Sequence, residues 1–420
     1  MLRLAAFIAL VVSLALSGFA SVISAQAQGI QATASVENSF PQGLLFHLVA
    51  SSDAMITDVR LRYQIRPEGA LTSVVPEFES SANIDITFTL EGNNPPRLYL
   101  PPGTAVDYFW EIEDAAGNAF STERATVVYD DIRFPWRLLT AGVINLHWYQ
   151  GSEDFAQEML EVAQRTIEDM SALLGAQVEF PIHVWAYANP SDMQAALIQE
   201  SESYERRIIT AGARVSKDTV LILNSGAALD TLRHELAHVV NAVAGEGPFG
   251  SLPAWLDEGT AVLAQEEDPF GYHVALERAV ASGDVLSVPS ISSPPGDPNN
   301  VILFYGQSWS LVSYLIDTYG PEKFAQLFAT FKAGATTDDA LSEVYGFNQR
   351  GLEDGWRQSL GLPPLERPEG GPTESPAGTG GPAQSNDDGS SGLLVGLIAG
   401  LVALAAVVGI GGYLLSRRLS

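Results

Sequence analysis

Two of the six histidines in this 420-residue chain stand four apart, in "DTLRHELAHVVNAVAG", Asp230 to Gly245, with a glutamate beside the first. Residues four apart are neighbours on one face of a helix. His234 and His238 can therefore offer two imidazoles to one metal ion. At 100° per residue Leu229, Leu232, Leu236, Val239, Val240 and Val243 form an apolar stripe, and the two histidines fall opposite its centre.

A pair of imidazoles needs a third partner to become a metal site. "LPAWLDEGTAVLAQEE", Leu252 to Glu267, predicts the next helix, with Pro253 suited to its first turn. Glu258 shares a face of that helix with Trp255 and Val262, a costly place for a carboxylate unless a cation is near. Asp257 and Glu266 read as surface residues.

His234-Glu235-x-x-His238, nineteen intervening residues and then Glu258 in "WLDEG" resemble the gluzincin class of zinc peptidases, the clan of thermolysin and aminopeptidase N. More closely, "FPWRLLTAGVINLHWYQGSEDFAQEML", "FYGQSWSLVSYLIDTYG" and "ALSEVYGFNQRGLEDGWRQSLG" resemble, in that order, the bacterial peptidase MA-like domain, from about Phe134 to Leu362. The resemblance implies that His234, His238 and Glu258 hold Zn²⁺ and leave a fourth position open, as catalytic zinc sites do. It also implies that Glu235 is the general base, and that a tyrosine donates to the oxyanion of the tetrahedral intermediate. Tyr305 in "FYGQSW" is the candidate donor, with His273 in reserve.

Two departures from the clan pattern matter. Val262 stands where thermolysin-like enzymes carry an aspartate that orients the first histidine, so the outer hydrogen bonds must come from elsewhere. No Gly-x-Met-Glu-Asn segment is present to anchor a free substrate amine, which favours endopeptidase over aminopeptidase activity.

The elements that must position these groups follow from periodicity. Residues 28–131 alternate apolar and polar (Val59, Leu61, Tyr63, Ile65; Ile84, Ile86, Phe88, Leu90; Val106, Tyr108, Trp110, Ile112) between turn-rich segments. That pattern predicts a β-sandwich, and "PPGTAVDYFWEIEDAAGN" resembles the later strands of a fibronectin-III-like or immunoglobulin-like module. The expected role is scaffold or spacer. From 132 to 362 strands alternate with helices, predicting an α+β zincin-like metallopeptidase domain. Strands are expected at Val143–Tyr149, Val178–Tyr187 and Val220–Leu223; the clan resemblance implies that the last is the cleft's edge strand, to which an extended peptide can add, and the alternative is an ordinary sheet strand. Helices are expected at Asp154–Leu174, the histidine helix, and 253–266, 304–319, 321–332, 337–344 and 348–359.

The ends carry other signals. Residues 1–27 read as a signal peptide, with Arg3, the apolar run Leu4 to Leu16 and the small-x-small site Ala25-Gln26-Ala27. Residues 363–391 are a Pro/Gly/Ser/acidic stalk, and 392–416 hold an uncharged stretch long enough to cross a bilayer. Arg417 and Arg418 in the tail 417–420 predict a cytoplasmic C-terminus and an extracellular middle. The expected protein is multidomain: β-sandwich, peptidase domain and a single transmembrane helix.

Composition excludes several classes. All 50 acidic residues but only 19 of the 22 basic ones lie between the apolar ends, leaving that part with a net charge of −31. Such a surface repels nucleic acid. With no cysteine there is neither a disulfide nor a thiol nucleophile. "GQSWS" lacks the glycines of a nucleophile elbow. The expected partners are peptide or protein substrates and the membrane. The alternative from another class is a surface adhesion or scaffold protein with an inactive peptidase-like domain.

Overall fold

The computed structural model describes residues 29–365 apart from 68, 95–97, 198–208, 211 and 248–250, together with the stretches 23–27 and 405–406. Most of the expected membrane helix, stalk and signal segment lies outside these residues. Among the described residues no helix is long and apolar enough to cross a membrane.

The N-terminal module is antiparallel. Its main strands are β1 (Ile30–Ser39), β2 (Gly43–Ile65), β3 (Ser81–Glu91), β4 (Thr104–Asp114) and β5 (Ala125–Tyr129). The 23-residue β2 serves two faces. Its first half pairs with β1 and β3, its second half with β4, and the register shifts between Ser51 and Asp58. A bulge of this kind bends a strand and strengthens its twist, so one continuous sheet folds over on itself. The alternation seen in sequence then closes a core, with Leu44, Phe46 and Leu48 facing Val106, Tyr108 and Trp110. The rings of Phe46 and Tyr108 meet edge to face at 5.0 Å.

The second part is built on a five-stranded sheet: β6 (Arg137–Ala141), β7 (Ile144–Trp148), β8 (Ile182–Tyr187), β9 (Gly212–Arg214) and β10 (Thr219–Leu223), in the order β6-β7-β8-β10-β9. The three central strands are parallel and the two edges antiparallel. Central parallel strands are covered on both faces, and Ile182–Tyr187 and Thr219–Leu223 are accordingly buried almost throughout. Among the described residues, eight helices of nine or more residues follow or intervene: α1 (Glu153–Leu174), α2 (Ala228–Gly245), α3 (Ala254–Leu263), α4 (Tyr272–Ser282), α5 (Val301–Tyr319), α6 (Pro321–Lys332), α7 (Thr337–Tyr345) and α8 (Gln349–Ser359).

One face of this sheet, with Leu146, Val184 and Ile222, packs on α1 and α2 and joins the helical core. The other face, with Trp185, Tyr187 and Leu221, shares a core with the β-module. Tyr99 Oη donates to the Ala196 carbonyl at 2.5 Å and Asn93 Nδ2 to that of Leu197 at 2.7 Å. Fully buried Asp131 is gripped by Arg133 at 2.6 Å and by the Tyr187 hydroxyl at 2.9 Å. The module expected as a scaffold or spacer covers the outer face of the second part's sheet.

Val220–Leu223 is not the edge. It lies inside the sheet as β10, and the three-residue β9 flanks it. The ordinary-strand alternative holds for Val220–Leu223, and the true edge, with three residues, carries too little periodicity to be read from sequence.

Candidate metal centre

Helix α2 carries the two histidines and α3 the glutamate. The side of α2 opposite its apolar stripe is no wet face: α3 and α5 cover it, and His234, Glu235, His238 and Glu258 are each at most 2% exposed. Gly259 makes the covering possible. A Cβ there would collide with the backbone of Ser308, so α3 and α5 touch main chain to main chain.

His234 Nε2 lies 3.2 Å from His238 Nε2. Glu258 Oε2 lies 3.3 Å from the first and 3.5 Å from the second. A tetrahedral zinc ion with ligand bonds of about 2.0–2.1 Å spaces neighbouring ligand atoms about 3.3–3.4 Å apart. The three atoms have that spacing. Glu258 Oε2 is buried with no hydrogen-bond partner among the described residues, a condition that a shared cation relieves. His234, His238 and Glu258 are the one group of three or more potential ligands that close together among the described residues, and they fit Zn²⁺.

The protonation state of His234 agrees with that use, and metal binding to His238 releases its Nε2 proton. Burial, helped by the neighbouring His238, holds the His234 imidazole below its ordinary pKa, so it is neutral with a lone pair to give. Burial works against charge on His238 too, but the Asp257 and Glu258 carboxylates outweigh it and hold its pKa well above the usual value. His238 Nδ1 donates to Asp257 Oδ1 at 2.9 Å, which turns Nε2 toward His234 and Glu258. Asn241 Nδ2 donates to the same oxygen at 2.8 Å and to the Asp257 carbonyl at 3.0 Å. Burial would raise the Asp257 pKa, but His238, Arg214 and Asn241 bring it down to about 2.

Asp257 therefore is not the surface residue expected. It stands one residue before the glutamate ligand and orients the second histidine, supplying an outer hydrogen bond that Val262 cannot. The first histidine's Nδ1 has no hydrogen-bond partner among the described residues. The available signal was Asp257's adjacency to Glu258, which a helix turns toward the preceding helix.

Glu235 Oε2 accepts the backbone N–H of Arg214 at 2.9 Å, while its Oε1 is buried with no partner among the described residues. Burial, with the Glu258 charge behind it, pushes the Glu235 carboxyl up to about 8 against the opposing pull of His238 and Arg214.

Tyr305, on α5, is buried with its ring 6.0 Å from that of His234. Its other neighbour is Tyr272, stacked at 5.1 Å, a residue sequence reasoning passed over. Burial and the charges of Glu258, Asp268 and Glu235 push the Tyr272 phenol far above its ordinary range. His273, one residue on, turns elsewhere: its Nδ1 meets Asp268 Oδ2 at 2.9 Å and its ring lies 4.1 Å from Trp309.

Comparisons with known proteins bear on this geometry. Residues 162–361 match the family model of the Peptidase MA superfamily. No curated protein matches the sequence. Among solved structures, an M1 zinc metallopeptidase from Deinococcus radiodurans aligns at 13% identity and a TM-score of 0.34, over 81% of this chain and 93% of that one. A variant of the enzyme bound to a Tyr-ser-ala substrate aligns at 12% identity and a TM-score of 0.33, over 82% and 93%. The structure named BhCBM56 aligns at 11% identity and a TM-score of 0.18, over 25% of this chain and 98% of that one. These superpositions are loose, and the assignment stands on the family match together with the buried ligand set. Residues 162–361 thus match a gluzincin-like peptidase domain of the Peptidase MA superfamily, and the buried His234, His238 and Glu258 group within them fits Zn²⁺.

Proposed function

We propose that the protein is a zinc-dependent endopeptidase working outside the cell, held at the membrane by its C-terminal segment. The observation that carries the catalytic part is the triangle of His234, His238 and Glu258 atoms, 3.2 to 3.5 Å on a side, with the Glu235 carboxylate on the adjoining turn. The anchor and the location rest on the sequence of residues 392–420 alone.

Bound zinc supplies Lewis acidity toward water and toward the scissile carbonyl. Glu235 takes the proton of the attacking water on its unpartnered Oε1 and delivers it to the leaving amine. Oε2, tied to the Arg214 N–H, stays in place while this happens. The Tyr305 hydroxyl donates to the developing oxyanion from the wall beside His234. Asp257 and Asn241 keep the His238 ring from turning.

The endopeptidase assignment rests on the absence of the amine-anchoring Gly-x-Met-Glu-Asn segment from the sequence, and on the occupations of the carboxylates near the centre. Asp257 holds His238, Asp268 holds His273, and Glu246 pairs with Arg214 at 3.5 Å.

The test is zinc stoichiometry with cleavage of an unfolded protein and of N-terminally blocked peptides, against Glu235→Gln. We expect one zinc per chain in both proteins, and cleavage that falls by about 10²–10⁴-fold in the variant. A zinc-loaded wild type that cleaves nothing would make the domain an inactive surface scaffold. Cleavage restricted to peptides with a free amine would make it an aminopeptidase.

A further inference from the structure

We infer that the edge strand β9, through Gly212 and Arg214, positions the general base Glu235, and that Gly212 is a glycine for that reason. The inference rests on the peptidase reading of Glu235.

Three contacts tie this strand to the histidine helix. The Arg214 N–H donates to Glu235 Oε2 at 2.9 Å. Its guanidinium donates to the His238 carbonyl at 3.2 Å and pairs with Glu246 at 3.5 Å. The guanidinium is mostly covered, with 15% of the side chain exposed. One residue thus grips the helix at the base, at the second zinc ligand and at the helix end.

Gly212 decides how close the strand comes. A Cβ on it would lie 2.5 Å from Thr231 Cγ2, 2.9 Å from Glu235 Cγ and 3.1 Å from Glu235 Oε1. Two of these three atoms belong to the base itself, so even an alanine must shift the carboxylate or lift the strand away from it. Positive φ is not the reason, since Gly212 is absent from the glycines with that conformation. The requirement is space. The same close approach leaves Oε1 buried and unpartnered while Oε2 is pinned, which is how a base aims one oxygen.

Gly212→Ala in the intact chain tests this. We expect full zinc stoichiometry, KM within about threefold of wild type and kcat down about 100-fold, since an ångström of misplacement costs about that much. Thr231→Ser removes the nearest colliding atom. Alone it leaves activity unchanged, and combined with Gly212→Ala it recovers at least about tenfold of the loss.

Amide exchange at Arg214 gives a second readout, in the zinc-free protein and without activity. Both Gly212→Ala and Glu235→Ala speed it by about tenfold or more, as loss of the hydrogen bond from that N–H requires. Unchanged kcat in a zinc-loaded Gly212→Ala protein overturns the inference, and so does unchanged Arg214 exchange in Glu235→Ala, even if the glycine variant fails to fold. If the wild type cleaves nothing, the peptidase reading fails, and the exchange comparison still decides whether β9 holds Glu235.

Discussion

Asp257 accepts the His238 Nδ1 proton at 2.9 Å from the position immediately before the glutamate ligand Glu258. One turn of α3 therefore supplies both a ligand for the metal and the hydrogen bond that aims another ligand. Outer partners of this kind typically control metal affinity by 10–100-fold. We expect Asp257→Ala to weaken zinc binding by about that factor in competition with a chromophoric chelator, and Asp257→Asn to weaken it less. Unchanged affinity in the alanine variant would show that Asn241 and packing alone fix the ring.

Tyr305 is the candidate oxyanion donor with His273 in reserve, and of the two the structure sets Tyr305 beside His234. Tyr305→Phe should lower kcat by about 10²–10³-fold with little change in KM, the range for losing one oxyanion donor. His273→Gln should leave both within about threefold. The reverse pattern would reassign the donor.

Zinc removal should act on stability as well as on activity. Glu258 Oε2 is buried with no hydrogen-bond partner among the described residues, and a ligand that binds only the folded chain stabilises it by about 2.7 kcal/mol at a hundredfold excess over Kd. Chelated protein should melt several degrees lower and recover when zinc is returned. Glu258→Ala should show no such response. A chelator-insensitive melting curve in the wild type would mean that the three side chains hold no metal.

A second histidine pair predicts acid sensitivity away from the centre. His147 Nε2 and His183 Nδ1 face each other at 3.2 Å, and His147 stacks on Trp185 at 4.0 Å, where the sheet meets the β-module. Burial, with His183 adding, lowers His147 from 6.5 to about 3. Because the unfolded chain then takes up the proton first, stability is complete above about pH 6.5 and falls as pH drops toward 3. The slope should be on the order of 1 kcal/mol per pH unit. Urea unfolding of wild type and His147→Gln between pH 7 and 4 checks this: the variant's curve should be flatter. Parallel curves would remove the histidine from the account.

Much of the framework was legible in the linear chain. The helix expected at Asp154–Leu174 runs Glu153–Leu174, and those expected at 321–332, 337–344 and 348–359 lie within a residue of their places. Long amphipathic stretches between cap residues and glycines carry their own signal. Helix α4 and strand β9 escaped. The first opens at a glycine, its leading N–H groups capped by Asp268 from outside the usual N-cap position, and the second has three residues. The β-module's alternation was clear, while its docking on the catalytic sheet was not, because Trp185 and Tyr99 become neighbours of the other part only through the fold.

Sequence by itself determined which atoms this protein has for chemistry. A helical period of 3.6 residues puts His234 and His238 on one face whatever surrounds them, and a glutamate on the face of Trp255 demands a cation. Only the tertiary structure decided what aims those atoms. Asp257 against His238, the Arg214 N–H against Glu235, Tyr305 against His234 and the glycine-thin approach of β9 are contacts between elements, set by how the helices and the sheet edge pack. No local period encodes a distance of that kind.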